Sequence, residues 1–315
     1  MPGADGMPEQ GTERFDHFMA RANAAYYATQ DPFADFCTAP ELTQVFGELL
    51  GAWAKTVWQM MGAPEDIILA EAGPGRGVLM ADALRVWPRA RVHLIEISPR
   101  LRAEQAQRVP NAVWHDSLET LPSGPMILLA NEFLDALPVR QFVRREDGWA
   151  ERYVADGAYV EQQTTYPLPD DPLGSVREVN EAALEFCCKL AARGAVALFI
   201  DYGPMHSASG ESVQAIRAGA YADPLAEPGL ADLTAHVDFA AIAACVHAQG
   251  PVKQNAFLTA LGLFQRSDFL AQKNPSRAEA LKLSVQRLTA PEAMGSLFKV
   301  LALCPEGFPT MPGFE

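Results

Sequence analysis

The sequence is short of several things, and each shortage removes a class of function. No apolar run reaches the eighteen or so residues that a bilayer-spanning helix needs, so a transmembrane protein is not expected. The opening stretch, MPGADGMPEQGTERF, is polar and acidic and has neither the basic segment nor the apolar segment of a secretory leader, which points to a cytoplasmic protein. Cations are scarce. Lys and Arg number 25 against 39 Asp and Glu, a formal charge of −14, and a chain without a basic face cannot neutralise phosphates, so nucleic acid is set aside as the main partner. A cationic acceptor suits the charge better. Cysteine is sparse and unpatterned: Cys37, Cys187, Cys188, Cys245 and Cys304 form no C-x-x-C and no metal-ligand spacing, which implies reduced thiols and no metal centre. Cys187 and Cys188 adjoin in a helical pattern, so one should be buried and one exposed. With 315 residues, 49% of them hydrophobic, the chain can bury one large core carrying an insertion.

What the sequence does have is concentrated at Ile67–Gly77 (IILAEAGPGRG), a buried-type strand running into an acid and three alternating glycines. Apolar residues at helical spacing follow from Val78 to Val86. Glycines at a strand-to-helix junction let a cofactor approach a backbone free of Cβ atoms. Glu71, Gly73, Pro74, Gly75 and Gly77 are therefore candidates for cofactor contact. The spacing is E-x-G-x-G-x-G, whereas a dinucleotide fingerprint places its third glycine where Val78 stands. That mismatch disfavours an NAD-dependent oxidoreductase and favours S-adenosyl-L-methionine.

Along the chain, helical spacing over 13–28 and 42–61 gives an N-terminal helical segment, with Thr38 and Pro40 expected to start a capped helix between them that could act as a lid. Residues before about 12 read as disordered. The second strand, Val92–Glu96, ends in an acid placed to accept from ribose hydroxyls. Ala112–Trp114 is a short third strand, with Trp114 or its neighbours expected beside an adenine and Asp116 beside its amine. The unbroken apolar run Met126–Ala130 reads as a parallel strand buried on both faces, leading into Asn131-Glu132-Phe133-Leu134-Asp135-Ala136-Leu137-Pro138. If that segment turns helically, Glu132 and Asp135 share a face and can present two carboxylates to one cation; the alternative is a helix start whose acids complement the dipole. Asn131 faces the same crevice.

Further on, 139–145 and 149–154 form a hairpin across Asp147-Gly148, 161–174 reads as a proline-rich loop, and helical spacing resumes over 176–192. Another buried strand, 195–200, ends in Asp201. The stretch 204–229 is irregular and leads to Asp232-Leu233-Thr234-Ala235-His236-Val237-Asp238. A metal reading of that cluster is disfavoured for want of a second ligand group. His236 is a candidate general base or substrate-orienting group, and Asp238 a helix cap. Residues 257–269 and 278–288 read as amphipathic helices and 297–303 as a last strand. The alternation predicts an α/β fold, a doubly wound mostly parallel sheet with an added helical and loop subdomain. Residues 1–62 are assigned to an N-terminal helical segment packing on the core and 63–315 to the core itself, with an inserted hairpin and a substrate-recognition region over about 204–290.

Taken together, Glu71–Met80, Asn131–Pro138 and Asp232–Phe239 resemble the MidA family, with support from Thr38–Glu41, Phe46–Glu48, Glu96–Pro99, Asp201–Gly203 and Leu297–Val300. The resemblance implies a Rossmann-like class I S-adenosyl-L-methionine-dependent methyltransferase. In the family's mitochondrial members it implies arginine dimethylation of a respiratory NADH dehydrogenase subunit in complex I assembly. On that reading Glu71, Gly73, Pro74, Gly75, Gly77, Glu96, Asp116 and Asn131 bind the cofactor, Glu132, Asp135 and His236 serve catalysis, and the partner is a protein arginine, with a homodimer left open. The sequence departs from the family at the segment before Phe36, which is shorter than the usual glycine-aspartate loop, and at Gly219, where the family tends to carry a histidine. Two alternatives stay open: a methyltransferase for a small molecule or another protein side chain, and a non-catalytic cofactor-binding assembly factor.

Overall fold

The computed structural model describes residues 11–30, Phe33 and 38–315. At its centre is a seven-stranded sheet whose strands are β1 (Ile68–Ala72), β2 (Arg91–Ile95), β3 (Val113–His115), β4 (Met126–Asn131), β5 (Val196–Tyr202), β6 (Ala248–Lys253) and β7 (Phe298–Leu303). Their spatial order is β6-β7-β5-β4-β1-β2-β3. The pairs from β5 through β4 and β1 to β3 are parallel, and β7 runs antiparallel to both its neighbours. Strand order reverses between β1 and β4, so the crevice at their carboxyl ends is where an open sheet of this kind binds ligands.

The apolar runs behave as parallel strands covered on both faces should. Leu69, Ile127, Leu129, Val196, Leu198 and Ile200 point into one core, and Ile68, Ala70, Leu128, Ala130, Ala197 and Phe199 into the other. The first core is closed by α2 (Gln44–Met60) and α3 (Val78–Val86), the second by α5 (Glu181–Ala192) and α6 (Phe239–Cys245). Cys187 is buried and Cys188 exposed, as expected. Asp238 caps α6 by accepting from the Ala241 N–H at 2.9 Å. Between α1 (Phe15–Thr29) and α2 a short helix, Ala39–Leu42, has Pro40 in its first turn, but Thr38 makes no side-chain capping bond; Thr43 instead caps α2 through the Val45 N–H. The stretches expected to be disordered before 12, and the loop before Phe36, lie mostly or wholly outside the described residues.

Helices α2 and α3 cross at glycines. A Cβ on Gly51 would lie 2.6 Å from Cα and O of Ala83, and one on Gly47 2.8 Å from the Leu79 carbonyl. Backbone, not a flexible side chain, fills the space. Gly51→Ala should therefore destabilise the protein by about 2 kcal/mol even though Ala gains about 1 kcal/mol in helix propensity over Gly. Thermal unfolding checks this, and an unchanged or higher Tm would show that the crossing has slack.

The region after β4 differs from its sequence reading in four places. The hairpin Arg140–Arg145/Gly148–Ala155 belongs to a five-stranded antiparallel sheet that also takes in Glu13–Arg14, Ala158–Thr164 and Val176–Val179. The helix over 176–192 thus begins only at Glu181, behind Asn180, which caps it through the Ala183 N–H. The irregular stretch before Asp232 holds a hairpin, Gln214–Arg217/Ala220–Ala222, paired with Asp232–Thr234. The expected helix 257–269 is broken at Gly262, φ +88°, into Gln254–Ala260 and Leu263–Lys273. Helix α1 packs its Phe15, Phe18, Met19 and Ala22 on this inserted region, whereas α2 packs on the central sheet.

Candidate active site

A cavity of about 910 Å³ opens at the switch point. Of the eleven sequence candidates, ten line it; Gly77 does not. At its floor the glycine turn leaves β1 with Gly73 at φ +63° and Gly75 at φ +52°. A Cβ there would meet Phe133 Cδ2 at 2.9 Å and Phe33 Cζ at 2.6 Å respectively, so both glycines are required by close aromatic neighbours as well as by backbone. Gly77, at φ +78°, starts α3 and packs against Gln105.

Glu96, at the carboxyl end of β2, is held by two donors. Its Oε1 accepts from the Ser98 N–H at 2.7 Å and its Oε2 from Gln105 Nε2 at 3.2 Å. The same Gln105 amide donates to the Gly75 carbonyl at 2.7 Å, and Trp114 Nε1 donates to Gln105 Oε1 at 2.8 Å. Gln105 therefore ties the glycine turn to Glu96, and Trp114 fixes Gln105. Of the residues expected beside the adenine, Trp114 itself does not line the cavity, whereas its neighbours Asp116 and Ser117 do. Ile97, 62% exposed, lines the cavity beside Glu96 instead. Gln105 was missed, although a signal existed: it shares the buried face of α4 (Pro99–Arg108) with Leu101, and a polar side chain on an apolar face usually holds something. Asp116 lies at the same end, ion-paired with Arg102 at 2.6 Å.

The opposite wall is acidic. After β4 the chain makes a turn, not the helix considered for it, and Glu132 adopts φ +51°, a conformation that costs a non-glycine residue on the order of 1–3 kcal/mol. Asp201 holds it there. One of its oxygens accepts the backbone N–H groups of Phe133, Leu134 and Asp135 at 2.9–3.2 Å, and the other accepts that of Tyr202 at 3.0 Å. Lys299 braces the same edge by donating to the carbonyls of Gly203, Ser296 and Leu297. Glu132 Oε1 accepts from Asn131 Nδ2 at 2.9 Å and the Ala39 N–H at 3.3 Å. Burial, with Asp135 nearby, pushes the Glu132 carboxyl up to about 7 against the pull of those two hydrogen bonds. Burial also raises Asp135, which Tyr202 hydrogen-bonds. His236 stands at the rim with its ring edge-on to Tyr202, 5.7 Å between centroids. No grouping of three or more His, Cys, Asp or Glu side chains among the described residues could hold a metal ion.

The cavity fits a cationic adenosyl cofactor on its own atoms. Glu71 is buried, its Oε2 has no hydrogen-bond partner among the described residues, and desolvation alone lifts its carboxyl to about 8. Such an oxygen lacks a cation or donor that a ligand can supply. Among the described residues nine carboxylates line the cavity against one arginine and one lysine, and Arg76 and Lys189 are themselves paired with Glu104, Glu119 and Glu185.

Comparison with known proteins gives the family. A family model described as "Putative S-adenosyl-L-methionine-dependent methyltransferase" matches residues 49–257. The Drosophila melanogaster protein named "Protein arginine methyltransferase NDUFAF7 homolog, mitochondrial" is 34% identical, over 91% of this chain and 79% of its own length. The Homo sapiens "Protein arginine methyltransferase NDUFAF7, mitochondrial" is 31% identical, over 89% and 76%. A crystal structure from Burkholderia thailandensis bound to S-adenosyl-homocysteine aligns with a TM-score of 0.84 and 26% identity, over 96% of this chain and 90% of that one. S-Adenosyl-L-methionine is thus the cofactor. The cytoplasmic expectation is overturned, because the curated relatives are mitochondrial proteins; a polar, acidic opening stretch does not determine compartment.

Proposed function

The chain belongs to the S-adenosyl-L-methionine-dependent methyltransferase family, and from that membership we propose that it methylates an arginine side chain of a protein partner. The observation that carries this reading is the acidic wall at Glu132 and Asp135. A cavity this rich in carboxylates holds an amine protonated, with no lone pair to attack. A guanidinium, by contrast, keeps π-electron density on its nitrogens while charged. The relatives' name supports arginine, and the MidA resemblance supports a respiratory NADH dehydrogenase subunit as the partner, with a role in complex I assembly.

On this proposal the glycine turn and Glu71 hold the amino-acid end of the cofactor, Glu96 its ribose, and Ile97 with Asp116 its adenine, while Asn131 borders the methyl-transfer end. The cofactor supplies an electrophilic methyl: the acceptor nitrogen's electrons form the new N–C bond as the C–S bond breaks, its pair staying on sulfur. The chain's own task is orientation, worth up to about 7–11 kcal/mol, plus a base for the proton that the methylated nitrogen sheds. Glu132 takes that proton, with Asp135 holding the guanidinium in line and His236 at the rim as the exit to solvent.

Incubating the protein with methyl-labelled cofactor and mitochondrial protein, then locating label by mass spectrometry, tests the reading. Label on arginine supports it, and label confined to small molecules or to other side chains overturns it. The base must be ionised to act. Because burial raises Glu132 to about 7, kcat/KM should climb as pH rises from 6 to 8 and level off above. A profile flat across that window would exclude Glu132 as the base.

A further inference from the structure

Among the described residues two buried acceptor oxygens in the cavity lack partners, Glu71 Oε2 and Asn131 Oδ1, and they differ in charge. The partner of the Asn131 amide sets its orientation. Its nitrogen lies 2.9 Å from Glu132 Oε1, which in the ionised form that a base requires can only accept, so the NH₂ faces Glu132 and Oδ1 faces away from it. Asn131 is 8% exposed, ends β4, and has no donor for that oxygen among the described residues. A buried carbonyl oxygen left bare costs about 1–3 kcal/mol, so the site is built to receive an N–H.

Which N–H it receives follows from charge. The ammonium of the cofactor's amino-acid end is a full cation that needs a counter-charge, and Glu71 provides one, whereas a neutral amide oxygen does not. Asn131 suits a donor whose charge is balanced elsewhere, and its hydrogen-bond partner Glu132 carries such a charge. We infer that Asn131 Oδ1 accepts one N–H of the acceptor guanidinium while Glu132 faces another, so that Asn131 is a specificity-determining residue of the acceptor subsite that distinguishes a planar guanidinium from an ammonium. The inference rests on the arginine reading above and departs from the sequence-based assignment of Asn131 to the cofactor. A guanidinium presents N–H groups in one plane at fixed spacing, matching two acceptors locked to each other. An ammonium has no such fixed pair.

The test uses the protein saturated with S-adenosyl-homocysteine and two small probes, ethylguanidinium and ethylammonium, titrated by NMR into the parent protein, Asn131→Leu and Asn131→Ala. The parent should bind ethylguanidinium about tenfold more tightly than ethylammonium. Both variants should lose most of that preference while keeping S-adenosyl-homocysteine affinity within about twofold, which also reports that they fold. If both lose S-adenosyl-homocysteine affinity tenfold or more with the guanidinium preference intact, Asn131 is a cofactor ligand and the inference falls. A variant that binds every probe as the parent does also overturns it. A parent protein that shows no guanidinium preference removes the arginine reading, and this inference with it.

Discussion

Glu71→Gln is expected to melt at a higher temperature than the parent protein in the absence of cofactor, and to bind S-adenosyl-L-methionine more weakly. The two effects share one cause. Burial without a partner lifts the Glu71 carboxyl to about 8 from its ordinary 4.5. Below pH 4.5 folded and unfolded chains are both protonated there and no penalty arises. Between 4.5 and 8 the unfolded chain ionises while the folded one keeps its proton, so stability falls by about 1.4 kcal/mol per pH unit and levels off above 8. At pH 7 the penalty reaches about 3 kcal/mol, and glutamine removes it. The buried amide still wants a partner, so the net gain should be about 1–3 kcal/mol, a few degrees in Tm for a chain this long. Cofactor affinity should drop ten- to a hundredfold, because the charge opposite the ammonium is gone. Calorimetric melts of the cofactor-free protein and titration with the cofactor read the two effects separately. A lower Tm, or unchanged affinity, would mean that Glu71 is satisfied by something other than the ligand.

Glu132→Gln is the second, and there the effects should separate. Glutamine keeps the side-chain oxygen that accepts from Asn131 and Ala39, so the turn and the cofactor site should survive, with S-adenosyl-L-methionine binding within about threefold of the parent. Turnover should fall by about 10²–10⁴, since the substitution removes both the base and the charge facing the acceptor. A single-turnover assay on a confirmed substrate decides it, and a variant within tenfold of the parent would move the base elsewhere, with Asp135 next in line.

Much of this was legible from spacing. The switch-point crevice followed from which apolar runs were unbroken and where each met an acid, and ten of eleven candidates line one cavity. What escaped the reading was set by long-range contact. Nothing local marks Val176–Val179 as a strand, since its partner is Arg140–Val143, more than thirty residues earlier. The tight turn Asp156-Gly157, with both residues at positive φ, was a readable hairpin signal, but its strand Ala158–Thr164 alternates too weakly to stand out. Gln105 at Gly75, Lys299 at Gly203 and Asp201 at Leu134 meet main-chain groups distant in sequence, and composition carries no trace of such pairings. The compartment was misjudged for another reason: it depends on trafficking, not on the folded domain.

Asp201 has one further implication, for anyone wishing to redirect this catalyst. Because a single carboxylate fastens the ends of two adjacent strands, the chemistry is anchored independently of the hairpin 214–222, whose Gln214, Ile216 and Tyr221 border the opening. New acceptors are therefore best sought by randomising that hairpin while leaving Asp201 untouched. The turn that carries Glu132 and the hairpin that lines the cavity are fastened by different contacts, so the second can be varied while the first stays in place.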